Sequence, residues 1–227
     1  MHDIVYFVKD SEENEELRYS LRSLKNFPHR KVWFYGGCPS WARPDHRVRI
    51  IQNAGNKYDN VHRMLASAAH TTEISPQFYW FNDDFFVMEP VEYAHWYRGS
   101  LYKYIVDVEN RAGNISAYTR RLRRMVKELE TANLPTRNYE MHVPLLVDRK
   151  KLQQVLSLFP GHNGVRSLYG NYHRLDSELH EDVKVFQLGQ ETPTGPYIST
   201  ADNTFKYGKV GEELRREFPD PSPYEIQ

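Results

Sequence analysis

The chain has 227 residues, of which 40% are hydrophobic and 26% charged, the balance of an ordinary soluble globular protein with a full-sized core rather than a disordered or fibrous one. Lys plus Arg equals Asp plus Glu at 30 each, so net charge argues neither for nor against a nucleic-acid partner and only local patches can. A single cysteine, Cys38, excludes an intrachain disulfide and a cysteine-based zinc site. The first residues lack the basic and apolar regions of a signal peptide, and no apolar run approaches membrane-spanning length, so a cytoplasmic location without a membrane span is expected.

Residues 4–8 form an apolar run of strand formers bounded by charge, which predicts a buried first strand. A turn at Lys9, Asp10 and Ser11 leads to a helix over 12–27, with Leu17, Leu21 and Leu24 on one stripe and glutamates in its first turn. Strands are expected at 32–35, at 48–51 and at 78–81, with a helix over 59–69 before the last of these. This alternation predicts an α/β fold with a largely parallel sheet covered by helices. The second half predicts helices over 116–132, 150–158 and 212–217, and strands at 143–147 and 183–188. Without repeats, low-complexity tracts or an evident linker, one domain is expected, its residues 1–90 handling a nucleotide and 91–227 an acceptor.

The segment from Phe81 through Asn82, Asp83, Asp84 and Phe85 to Phe86 is the most informative. Oxygen ligands at the lip of a sheet suit a hard divalent cation, and Mg²⁺ or Mn²⁺ is commonly shared between one or two carboxylates and substrate phosphates. Two adjacent carboxylates repel unless a cation or donors compensate. A plain Asx-turn is the bland reading, since Asn and Asp are frequent turn residues. Asp10 follows the first strand, so it and the acidic turn share the carboxyl side of a parallel sheet, where ligands bind.

Other groups suit a nucleotide. Asp10 is placed to accept hydrogen bonds from a base or ribose, or to act as a cap. Arg18 and Arg22, one helical turn apart, suit a phosphate or plain solvation of the helix. Lys57, Asn60 and Arg63 stand at the start of a helix, where anions are favoured, although a loop with an N-cap explains the same residues. His142 and the charged run 175–182, which contains Asp176, offer a base for an acceptor hydroxyl; a structural histidine and a solvated helix face are the alternatives. Between Asn110 and Lys127 there is no acid, and Arg120, Arg123, Arg124 and Lys127 make a basic patch suited to nucleic acid or an anionic glycan, or simply to solvent.

These blocks resemble, in order, the regions of the Stealth family of capsule sugar-phosphate transferases. The first region is matched by Asp3-Ile4-Val5-Tyr6 with Glu16-Leu17-Arg18-Tyr19-Ser20-Leu21-Arg22-Ser23-Leu24, continued by Val32-Trp33-Phe34-Tyr35 and Pro39-Ser40-Trp41. Tyr79 to Phe86 with Pro90-Val91 resembles the second region. His142-Val143-Pro144 with Phe159-Pro160 resembles the third, and Ser199 to Asn203 with Phe218 to Glu225 the fourth. The resemblance implies a nucleotide-sugar donor, a GT-A-like glycosyltransferase fold and a metal at Asp84 with Asn82 or Asp83. It also implies Arg18, Lys57 and Asn60 near the donor and His142 near the reacting groups. The first strand departs from the family by ending in Phe7-Val8-Lys9-Asp10 where a Trp-Val-Asp sequence is usual, and the chain is compact. It is similar in this to small phage-encoded glycosyltransferases, some of which decorate modified DNA bases. The expectation is a metal-dependent glycosyltransferase (in the host cytoplasm if phage-encoded) whose acceptor is DNA or a glycan. Sugar-1-phosphate transfer and a non-catalytic nucleic-acid-binding module are the alternatives.

Overall fold

The computed structural model describes residues 1–53, 57–162 and 164–226, apart from the side chains of Lys57 and Tyr58. In chain order the elements are β1 (Asp3–Val8), α1 (Glu15–Ser23), β2 (Val32–Gly36), β3 (His46–Arg49), α2 (Lys57–His70), β4 (Gln77–Asn82), β5 (Phe85–Val87), β6 (Trp96–Tyr97), α3 (Leu101–Ala112), α4 (Ala117–Thr131), β7 (Leu145–Asp148), α5 (Arg149–Leu158), α6 (Val165–Tyr172), β8 (Glu178–Leu179), β9 (Lys184–Val185), β10 (Tyr197–Thr200), α7 (Asp202–Tyr207) and α8 (Lys209–Glu217). They form two compact units. One comprises Met1–Tyr93, His142–Val147 and Val183–Gln227; the other comprises Ala94–Met141 and Asp148–Asp182.

The first unit is built on a five-stranded sheet of order β3-β2-β1-β4-β7, in which β1 runs parallel to β2 and β4, and β2 parallel to β3. β1 is central, and all six of its residues are buried, the continuous apolar pattern of a strand covered on both faces. The expected α/β architecture with a parallel-rich sheet is present. A second sheet, β5-β10-β9, packs Phe86, Val185 and Ile198 with Phe205, Val210, Leu214 and Phe218 of the C-terminal helices and their flank. α1 starts at Asn14, which adopts φ 31° and accepts a hydrogen bond from the Leu17 amide, so its cap costs left-handed strain that an asparagine tolerates.

At the amino end of β1 the Asp3 carboxylate is fully buried. Arg30 grips it with two hydrogen bonds of 2.7 Å, and Trp33 Nε1 and the Ser75 amide also donate to it. Burial works to raise its pKa, but these donors overcome it and hold the carboxyl below its ordinary value.

In the second unit, Ser100 caps α3, and Gly113 ends that helix at φ 65°. Ser116 caps α4, which buries Leu122, Met125, Val126 and Leu129. β6 and β8 pair in parallel, with Trp96 stacked on His180 at 3.8 Å between centroids.

Several expectations shift. The strand expected at 48–51 lies at His46–Arg49, and Ile51 is left 78% exposed. The strand expected over 183–188 stops at Val185 because Gln190 takes both the Phe186 amide and the Lys184 carbonyl, closing a local turn in place of a ladder. The run around Asp176 is not a helix face: α6 ends at Tyr172, Arg174 turns at φ 48°, and the chain enters β8. Among the described residues no helix is long and apolar enough to cross a membrane.

Candidate functional site

The parallel register brings the carboxyl ends of three strands level, with Val8 opposite Gly36 and Phe7 opposite Asn82. The chain beyond β2 then packs tightly against the end of β1. Gly36 adopts φ 105°, and a Cβ there would stand 2.4 Å from the Val8 carbonyl; at Gly37 it would stand 2.7 Å from the Lys9 carbonyl. Gln52 reaches across to donate to the Val8 carbonyl at 2.7 Å.

Two clefts of the first unit open at this end. The larger, of about 450 Å³, is lined by Lys9, Asp10, Gln52, Asn53, Asn60, Asn82 and Asp83 with the apolar Phe7, Val61 and Met64. The smaller, of about 280 Å³, is lined by Lys9, Asn14, Glu16, Asp83, Asp84, Asp202 and Lys206 among others. Lys9 and Asp83 belong to both linings.

The turn between β4 and β5 places Asp83 and Asp84 in a web drawn from distant segments. Asn14 Nδ2 donates to Asp83 at 2.9 Å. Lys184 forms an ion pair with Asp84, and Ser199 Oγ donates to the same oxygen at 3.2 Å. Beside them Glu16 accepts from Thr200 Oγ1 at 2.6 Å. Negative charge is under-compensated here. Burial first, then the charges of Asp84 and Asp83, push Glu16 up to about 8 despite the Thr200 hydrogen bond. Burial and then Asp84 push Asp83 up to about 6, against the pull of Asn14 and Lys184. Such a turn fits a divalent cation that takes one or two carboxylates and completes its shell with water and phosphate oxygens. No group of three or more His, Cys, Asp or Glu able to hold a metal by itself occurs among the described residues.

Of the residues singled out in the sequence, Asp10, Asn60, Asn82 and Asp83 meet in the larger cleft, with Asp84 across the turn. The Asn82 amide oxygen accepts from Trp80 Nε1 at 3.1 Å. Asn60 clamps the Asn53 backbone through both ends of its amide, at 2.8 Å each. Arg63 reaches the Ile51 carbonyl and Asn60 Oδ1, so it braces this loop and lines neither cleft. Arg18 lies over the Trp41 ring at 4.5 Å and 3.8 Å from Glu225, and it also lines neither cleft. Arg22 is held by Glu225 in a two-pronged ion pair. The Lys57 side chain lies outside the described residues. His142 sets its ring against Phe85, the residue after Asp84, and against Phe186. Asp176 is exposed in the second unit. The basic patch is weaker than its sequence: Glu109 from α3 pairs with Arg123, Glu128 pairs with Arg124, and Arg120 caps the Ile115 carbonyl, while Lys127 is exposed.

Sequence reasoning passed over Lys9, Asn14, Lys184, Ser199, Thr200 and Asp202 as site residues, and treated Glu16 as a helix-end charge. Glu16, the acidic turn and Ser199 to Asp202 are nevertheless pieces of the first, second and fourth resembling regions. The fold brings those three pieces to one place.

No protein-family model matches the chain. The capsular polysaccharide phosphotransferase LcbA of Aeromonas hydrophila is 30% identical over 97 residues, a stretch covering 38% of this chain and 27% of that protein. Among solved structures, mouse xyloside xylosyltransferase 1 in its apo form aligns over 96% of this chain and 93% of its own, at 10% identity and a TM-score of 0.35. The glycosyltransferase GlyE of Streptococcus pneumoniae TIGR4 aligns over 97% of this chain and 51% of its own, at 10% identity and a TM-score of 0.34.

Proposed function

We propose that this chain is a transferase of GT-A type that binds a nucleotide sugar at the carboxyl end of its parallel sheet. Asp83 and Asp84 would hold Mn²⁺ or Mg²⁺ for the donor's phosphates, and the chain delivers the sugar to an acceptor hydroxyl. The observation that carries the reading is the convergence of Asp10, Asp83 and Asp84 on adjoining clefts, the smaller of which is lined by more carboxylates than cations. A cation bound there would supply Lewis-acid neutralisation of the charge that develops on the leaving phosphate. Asp10 accepts a hydrogen bond from the ribose or base. Asn82, engaged with Trp80, lines the nucleotide cleft in place of ligating metal. His142, in the same unit as the acidic turn and beside Phe85, is the candidate base for the acceptor hydroxyl, whereas Asp176 belongs to the other unit. Pairing of Arg123 and Arg124 with acids lowers the case for a DNA acceptor and favours a glycan.

Sugar-1-phosphate transfer is the second reading, favoured by the partial likeness to a capsular polysaccharide phosphotransferase. In that reaction the acceptor oxygen attacks the phosphorus that carries the sugar, and a nucleoside monophosphate departs. In glycosyl transfer the anomeric carbon is attacked, and a nucleoside diphosphate departs. The identity of the released nucleotide separates the two. For the shared premise, the measurement is donor turnover with Mn²⁺ by Asp84→Ala. A loss of about a hundredfold or more is expected where charge stabilisation is removed, and wild-type turnover in the variant removes the cation site from the reading.

A further inference from the structure

Lys9 has a place in the fold that gives it a use. It stands one residue past β1, level with the ends of β2 and β4. Together with Asp83 it belongs to the linings of both clefts. Its side chain is exposed and makes no hydrogen bond, ion pair or ring contact among the described residues, whereas Lys184 is spent on Asp84. No ion pair ties its ammonium down, and its place between the two clefts is set by the backbone. The Gly37 turn pressed against the Lys9 carbonyl fixes that backbone. The two clefts also differ in chemistry. The larger offers amides, Asp10 and apolar side chains, the mixture that recognises a base and ribose. The smaller offers carboxylates, which accept hydrogen bonds from sugar hydroxyls and repel an anionic sugar.

Resting on the donor reading above, we infer that the nucleotide sugar lies across Asp83 with its nucleoside in the larger cleft and a neutral sugar in the acidic one, and that Lys9 binds the diphosphate at the junction. Lys9 thereby takes the phosphate-binding part that the sequence offered to Arg18 and Arg63, both of which the fold engages elsewhere. Its ammonium is a point charge, so it neutralises diphosphate oxygens without selecting a base.

The test is calorimetric titration of inorganic pyrophosphate, and of UDP, GDP, ADP and CDP, into wild type, Lys9→Gln, Lys9→Arg and Asp10→Asn, each with Mg²⁺ at two salt concentrations. Wild type is expected to bind pyrophosphate and one of the nucleotides. Lys9→Gln should bind both about tenfold more weakly, with a shallower salt dependence, and Lys9→Arg should restore most of the loss. Asp10→Asn should weaken the nucleotide but not pyrophosphate, and a nucleotide affinity equal to wild type overturns the placing of the nucleoside in the larger cleft. Equal pyrophosphate binding by wild type and Lys9→Gln overturns the assignment of Lys9 and leaves the donor reading standing. Failure of wild type to bind any of these ligands overturns the donor reading and this inference with it.

Discussion

The two ends of β1 treat carboxylates in opposite ways. At the amino end Asp3 has a guanidinium, an indole N–H and a backbone amide as donors, and its pKa is depressed. At the carboxyl end Asp83 and Glu16 have one neutral side-chain donor each, and both titrate upward. A carboxylate supplied with all its donors strengthens the fold, because the native state favours its charged form. A group of carboxylates left short of positive charge weakens the fold as it ionises, unless a bound cation supplies what is missing. The same residue type is thus structural at one end of the strand and available for ligand chemistry at the other.

The largest effect that tests this contrast is Asp3→Ala. It strands the buried Trp33 indole N–H and the Ser75 amide, while the half-exposed Arg30 guanidinium can turn to water, and urea unfolding should show a loss of about 2 kcal/mol. A loss under about 1 kcal/mol would mean that the amino end is not built as described. Next in size is Glu16→Gln. The native carboxyl titrates near 8 and the unfolded one in the ordinary range, so the native state holds the extra proton between those values and stability falls as pH rises through that window. The amide removes this cost, and at pH 8.5 the variant should be more stable than wild type by about 1 kcal/mol, with the gain vanishing near pH 4.5. Asp3 has the opposite sign: its contribution is present above the unfolded pKa and disappears as acid takes the pH down through its lowered native value. Adding Mn²⁺ to wild type should raise the melting temperature more at pH 8 than at pH 6, because the metal competes with protons for Asp83. The smallest effect is expected for Lys127→Ala, an exposed charge, which should change stability by less than about 0.5 kcal/mol.

Much of this frame was legible in the sequence. The apolar runs at 4–8 and 78–81 are buried central strands, and the rule that ligands gather at strand carboxyl ends places Asp10 and Asp83 in one cleft. α4 follows its stripe and its Ser116 cap. What was not legible came from distance or from uniform burial. Lys184 and Ser199 reach Asp84 from 100 and 115 residues away, and Thr200 reaches Glu16 from 184, separations that no local pattern encodes. α6 is almost wholly buried, so its residues show no helical stripe of polar against apolar. Arg18 carries a charge that suits phosphate in sequence, yet Trp41 and Glu225 claim it in the fold. α3 did leave a signal, in Ser100 at its start and Gly113 at its end.

The discontinuity of the first unit has a consequence for how the molecule is made. During synthesis β1, β2 and β4 leave the ribosome early and can form most of their sheet. The acidic turn then emerges with Asn14 available, but with Lys184, Ser199 and Thr200 still untranslated. Until those residues arrive, Asp83, Asp84 and Glu16 face one another without their later partners, and β5 lacks its neighbour β10. The nascent chain therefore completes the surroundings of its acidic turn last, after the intervening unit has been translated.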